Sequence, residues 1–216
     1  MSLRGFTHDF RTAMAIAAFG TAIFALVFAV CGPSATAQEA SASGNDADAT
    51  VSWREFHFPE RGFVVSFPDV SEKPKAKSTP VAGQNPLLQH EYKVKTGKDT
   101  VYSLVVFEYP EGRAPNPPKT EYFEKVVAAY AKGSDTKLRS KTPLKLDRRP
   151  GFEAKSEDGR GKLNHLITMV ANGDRVYMLI SAGPKKHANS MDALRFRDSF
   201  RLLGGPPPPQ TGKSSG

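Results

Sequence analysis

The sequence predicts an α+β domain: an antiparallel sheet of about six to eight strands with two main helices packed on it. Three observations lead there. Runs of aromatic and β-branched residues recur through 51–203, short turn-forming sequences separate most of them, and helical periodicity shows only twice. Strands joined by such short turns must be antiparallel, because parallel neighbours need a crossover of about a dozen residues.

Each element has its own local reason. Residues 52–58 and 63–67 flank Pro59-Glu60-Arg61-Gly62, turn chemistry that makes them a hairpin. A loop rich in lysine and proline follows over 68–86, with Lys73, Lys75 and Lys77. Residues 87–95 and 100–109 form a second pair around Thr96-Gly97-Lys98-Asp99. Within Glu91-Tyr92-Lys93-Val94-Lys95 the alternation turns Tyr92 and Val94 inward and the charges outward. Pro110 to Pro118 ends this pattern, and Thr120 is placed to cap a helix over 121–132 that stops at Gly133. Phe123, Val126, Val127 and Tyr130 give that helix one apolar stripe.

Strand character returns over 136–146. A three-strand meander follows at 152–156, 162–171 and 175–182, turning at Asp158-Gly159-Arg160-Gly161 and at Asn172-Gly173-Asp174. In its middle strand Leu163, Ile167 and Met169 fall on one side, Leu166 and Val170 on the other. A strand apolar on both faces is covered on both. A second helix over 188–195, capped by Asn189 or Ser190, leads to Phe196, Phe200, Leu202 and Leu203.

The flanks of this domain differ in kind. Residues 1–37 read as a signal peptide: Arg4 and Arg11 precede an uncharged apolar run over 13–30, and Ala35-Thr36-Ala37 offers a small-x-small cleavage site. The expected cut is after Ala37, so the protein is expected in the periplasm or outside the cell. Eighteen helical residues span about 27 Å, close to a bilayer core of about 30 Å, so an uncleaved membrane anchor facing outward is the alternative. Val30 before Cys31 fits poorly with lipidation. Residues 38–50 are small and polar and read as a disordered linker. Residues 204–216, with four consecutive prolines, read as a disordered tail.

Cys31 is the sole cysteine, and cleavage removes it, which excludes disulfides, thiolate nucleophiles and cysteine metal sites from the secreted form. The chain carries a net charge of +8, enough to favour anionic partners but not a nucleic-acid signature.

The wording of several segments resembles the PsbP-like superfamily, named for the extrinsic P subunit of photosystem II. Trp53 and Phe56 lead into Gly62-Phe63-Val64-Val65-Ser66-Phe67-Pro68, and Arg149-Pro150-Gly151-Phe152-Glu153 precedes the meander. Arg175-Val176-Tyr177-Met178-Leu179-Ile180 and Arg197-Asp198-Ser199-Phe200-Arg201-Leu202 complete the likeness. The resemblance implies an α/β/α sandwich and roles in docking onto larger assemblies. The superfamily shares no active site, so no functional residue is carried over.

The residues themselves offer little chemistry. His57, His90, His165 and His187 are far apart and in no metal-binding spacing, so no metal site and no cofactor are expected. His165, beside Leu163 and Ile167, reads as a hydrogen-bonded core histidine. No Gly-x-Ser-x-Gly elbow is present, Gly133-Ser134-Asp135 fits a helix-ending turn, and Asp158-Gly159-Arg160-Gly161-Lys162 is a hairpin turn rather than a phosphate loop. No catalytic residue is assigned.

One charge pattern remains. Lys137, Arg139 and Lys141 alternate along one strand, and Lys93 with Lys95 along another, with Lys145, Arg148 and Arg149 nearby. If those strands are neighbours, the rows merge into a ridge for an acidic protein or an anionic envelope polymer. Membrane contact is expected only through an uncleaved N-terminal segment. The leading expectation is therefore a non-catalytic exported interaction or accessory domain. Two alternatives stand beside it: an envelope hydrolase whose site is assembled from distant residues, and a carrier of a small apolar ligand beside Phe107, Tyr130 and Met178.

Overall fold

The computed structural model describes residues 52–81, 86–115, 118–184 and 186–204. The expected signal peptide, the linker and nearly all of the C-terminal tail lie outside these residues.

Two antiparallel sheets stack face to face. The larger has seven strands in the order β3-β4-β5-β9-β8-β7-β6. Its members are β3 (Lys77–Val81), β4 (Leu87–Thr96), β5 (Thr100–Glu108), β6 (Thr136–Leu146), β7 (Arg149–Asp158), β8 (Leu163–Asn172) and β9 (Arg175–Pro184). The smaller sheet places β2 (Phe63–Pro68) between β1 (Trp53–Phe58) and β10 (Arg201–Leu202). Helix α1 (Thr120–Gly133) covers one face of the large sheet, and the other is shared by the small sheet and α2 (Met191–Asp198). The α+β class stands. The second face is not a plain helical layer, however, because the first hairpin leaves the main sheet and packs across it.

The period of two in the strands builds both interfaces. On β5, Leu104 and Val106 meet the small sheet while Val105 and Phe107 meet α1. On β8, Ile167 and Met169 face α1 and Val170 faces the other side. Phe63 is fully buried, with ring centroids of Phe58, Tyr92, Tyr177 and Phe200 at 4.6, 5.4, 5.9 and 6.0 Å. Burying a ring of this kind contributes about 1.5–3 kcal/mol, and edge contacts with its neighbours add to that.

Four local expectations need correction. The loop over 68–86 contains β3, whose Lys-Ser-Thr-Pro-Val sequence looks unlike a strand; Pro80 is tolerated because β3 is an edge. Thr120 does not cap α1: Lys119 occupies the cap position with extended backbone and no side-chain hydrogen bond. The second helix starts later than expected: His187–Asn189 form a 3-10 turn, and Ser190 caps α2 by accepting from the Ala193 amide. The strand over 136–146 joins the meander directly, through a turn in which Asp147 and Arg148 have φ of 47° and 64°. This is a two-residue hairpin turn built without glycine. The Asp147 carboxylate accepts from the Leu202 amide at 2.8 Å and anchors it.

Candidate functional site

Polar side chains converge at one end of the large sheet, where β5 stops and β9 begins. Glu108 is the last residue of β5 and lies opposite Arg175, the first of β9. Its carboxylate accepts from Arg175 Nη2 at 2.7 Å and from Nε at 3.0 Å. Arg61, delivered by the turn between β1 and β2, stands 3.6 Å away. His90, across the sheet on β4, reaches the same carboxylate from Nε2 at 3.2 Å, while its Nδ1 lies 2.8 Å from the Ser78 hydroxyl on β3. Tyr177 donates to the Arg61 carbonyl at 2.8 Å and holds the turn in place.

The result is a serine–imidazole–carboxylate chain across three strands, read by no sequence motif because its members lie on β3, β4 and β5. It differs from a simple charge relay in that its carboxylate is shared with two arginines. Burial works to raise the Glu108 carboxyl, but the hydrogen bonds from Arg175 and His90 and the two guanidinium charges outweigh it and hold it low. Burial pushes the His90 imidazole down, and the Arg61 charge pushes it further. Together they favour the neutral imidazole against the opposing pull of Glu108, a carboxylate already shared by two arginines. Beside this network lies a cleft of about 380 Å³, bordered by Glu108, Glu111, Asp174 and Arg175.

The other histidines are spent on structure. His165 Nδ1 lies 2.6 Å from the Tyr130 hydroxyl under α1, and burial pushes its pKa down to about 4. His187 Nε2 lies 2.6 Å from the Ser181 hydroxyl, and burial lowers it as well. His57 is exposed, 3.1 Å from Glu55. Among the described residues no group of three or more His, Cys, Asp or Glu side chains is arranged to hold a metal ion. Phe107, Tyr130 and Met178 are each 2% exposed and belong to one packed core beneath α1.

The lysine rows do not merge. Lys93 and Lys95 lie on β4, while Lys137, Arg139 and Lys141 lie on β6, with β5, β9, β8 and β7 between them. Nor do the β6 cations share a face. The register with β7 shifts between Leu138 and Ser140, so Lys137 lies opposite Glu157 and Lys141 opposite Ala154. A one-residue bulge inverts the faces beyond it. Lys141 then reaches Glu124 of α1 at 2.8 Å, and Arg139 reaches Glu157 at 2.8 Å. No ion pair engages Lys93, Lys95 or Lys137 among the described residues. No helix among the described residues is long and apolar enough to cross a membrane.

No protein-family model matches the chain, and no curated protein matches it. Solved structures similar to it include three at low identity. Cyanobacterial PsbP (CyanoP) from Synechocystis sp. PCC 6803 shares 13% identity, with a TM-score of 0.47 over 76% of this chain and 98% of that one. LpqN of Mycobacterium tuberculosis, described as involved in cell envelope biogenesis, shares 11%, with a TM-score of 0.42 over 72% and 93%. Protein PA94 of Pseudomonas aeruginosa, of unknown function, shares 12%, with a TM-score of 0.33 over 61% and 83%. The likeness is one of fold, and PsbP is the family that the sequence itself resembles.

Proposed function

We propose that this chain is an exported interaction or accessory domain of the cell envelope, tethered or released through its 38–50 linker, that works by docking rather than by catalysis. The observation that carries the reading is the state of Glu108. The carboxylate best placed to serve an imidazole is engaged by Arg175, Arg61 and His90 together, an arrangement that ties three parts of the fold and divides the charge that would stabilise a protonated His90. The export signal read in residues 1–37 supports the compartment, and the unpaired lysines support an anionic partner. Affinity capture of the exported form from envelope extract, repeated at high salt, tests it. A partner recovered in stoichiometric yield and lost at high salt is expected; an empty capture overturns it.

The hydrolase reading keeps one specific observation in its favour, the Ser78–His90–Glu108 chain. Ser78 is exposed on an edge strand. A fluorophosphonate probe that labels the protein, and fails to label Ser78→Ala, would move the conclusion to acyl transfer.

A further inference from the structure

The end of the large sheet opposite Glu108 collects cations from elements distant in sequence. Because neighbouring strands are antiparallel, the β4–β5 turn, the β7–β8 turn, the exit of β9 and the start of β6 all lie there. They bring Lys95 and Lys98, Arg160 and Lys162, Lys186, and Lys137 to one end, all exposed and none in an ion pair among the described residues. Six strands from β4 to β6 spread them over about 24 Å. Five aspartates and Glu157 share this end; Glu157 pairs with Arg139 at 2.8 Å, and Asp69 is exposed beside Ser52. Asp158 is occupied by the backbone amides of Lys162 and Leu163, at 2.6 and 3.0 Å, Asp192 is half-buried, and Asp99 and Asp135 are exposed. The six unpaired cations outnumber the five aspartates, one of which, Asp158, is spent on backbone amides. At the Glu108 end Arg61 and Arg175 share Glu108, while Lys145, Arg148 and Arg149 are in no ion pair among the described residues.

Two further observations fall at the same end. Met191, 80% exposed, opens α2 there and is the most exposed large apolar side chain among the described residues. The chain also enters there: Trp53, next to the first described residue, packs edge-on against Tyr102 at 5.6 Å, and Tyr102 pairs with Ser181 near the exit of β9. The linker that follows the apolar 13–30 segment thus leads into the cationic end.

We propose that this end is a docking surface for an anionic phospholipid membrane, with the cations facing the headgroups and Met191 entering the interface. A lipid surface fits better than an acidic protein. The cations form a broad array rather than a set of paired pockets, and the apolar contact is a single protruding side chain. The proposal rests on the reading that the domain works at the envelope, and it adds membrane contact through the folded domain.

Trp53, the only tryptophan in the chain, reports on this end directly. The full chain is reconstituted into phosphatidylcholine vesicles with and without phosphatidylglycerol, both doped with bromine-labelled lipid. Either membrane accepts the apolar N-terminal segment, so a difference isolates the charged surface. Quenching of Trp53 is expected to be at least about twofold stronger in the anionic vesicles, and to fall between about 0.1 and 1 M salt as the screening length drops from about 10 to 3 Å. Combined substitution of Lys98, Arg160, Lys162 and Lys186 by Gln removes the difference. Lys145→Gln with Arg149→Gln, at the other end, leaves it intact. Met191→Ser, at an exposed position that leaves charge and core untouched, weakens it, and melting curves confirm that each variant is folded. Equal quenching in both membranes overturns the proposal. So does a response to polyglutamate without a response to anionic vesicles, which assigns the surface to an acidic protein. A protein captured from envelope extract beside a null vesicle result sinks this inference alone and leaves the proposed function standing.

Discussion

The Tyr130 hydroxyl lies 2.6 Å from Nδ1 of His165, a buried bond that ties α1 to the middle of the large sheet. Burial holds the imidazole at a pKa of about 4, against an ordinary value near 6.5. The folded protein therefore binds this proton less readily than the unfolded chain. Stability from His165 is fully present above about pH 6.5 and is lost as pH falls toward 4, by an amount on the order of 3 kcal/mol. His90 and His187 are lowered too and act in the same direction. Urea unfolding at pH 7 and pH 5 measures the loss, and His165→Gln is expected to flatten the dependence.

Removing the charge of Glu108 leaves Arg175 and Arg61 facing each other. Glu108→Gln is expected to destabilise the domain by about 1–3 kcal/mol, below the cost of a fully buried pair because its side chain is a quarter exposed. Ser78→Ala removes a single hydrogen bond to the imidazole and costs about 0.5–1.5 kcal/mol. Thermal melts of the two variants give the ranking.

Arg148 holds a left-handed backbone at φ 64° in the second position of its hairpin turn. Glycine adopts this conformation without a Cβ clash, whereas a β-branched residue does so poorly. Arg148→Gly is expected to stabilise by up to about 1 kcal/mol, and Arg148→Val to destabilise, read from the denaturant midpoint.

Gly151 on β7 leaves no room for a side chain beside the β8 backbone. A Cβ there would lie 2.6 Å from the Met169 carbonyl oxygen, so the backbones must part. Gly151→Ala is expected to cost about 1–3 kcal/mol by overpacking. Gly159, in the turn beyond, has nothing within 4 Å of the same atom, and Gly159→Ala is expected to stay within about 0.5 kcal/mol.

The architecture was legible where local chemistry matched it. Asn172-Gly173 marked the β8–β9 hairpin, the stripe of Phe123, Val127 and Tyr130 marked α1, and the doubly apolar β8 announced a sheet covered on both sides. His165 was read correctly as a hydrogen-bonded core residue because its strand neighbours point into a core. What escaped depends on tertiary support. β3 is polar and carries Pro80, and it is a strand only because β4 offers it an edge. Asp147-Arg148 turns tightly because Leu202 binds Asp147 from another sheet. The shared face expected for Lys137, Arg139 and Lys141 assumed an unbroken period of two, which the bulge in β6 defeats. The Ser78–His90–Glu108 chain is invisible to spacing because three strands bring it together side by side. The gathering of Lys95 and Lys137 at one end required the strand order, which alternation along a single strand does not contain.

The small sheet also decides how the domain meets force. Ser52 leaves beside the start of β1, at the Trp53 end, and Gly204 leaves beyond β10, whose neighbour Leu203 is pinned to the Gly62 carbonyl at 2.8 Å. Tension applied between these two points pulls β1 and β10 in opposite directions along β2. Their ladders are then loaded in shear, all bonds together, rather than unzipped one at a time, a geometry suited to a module strung between two attachments.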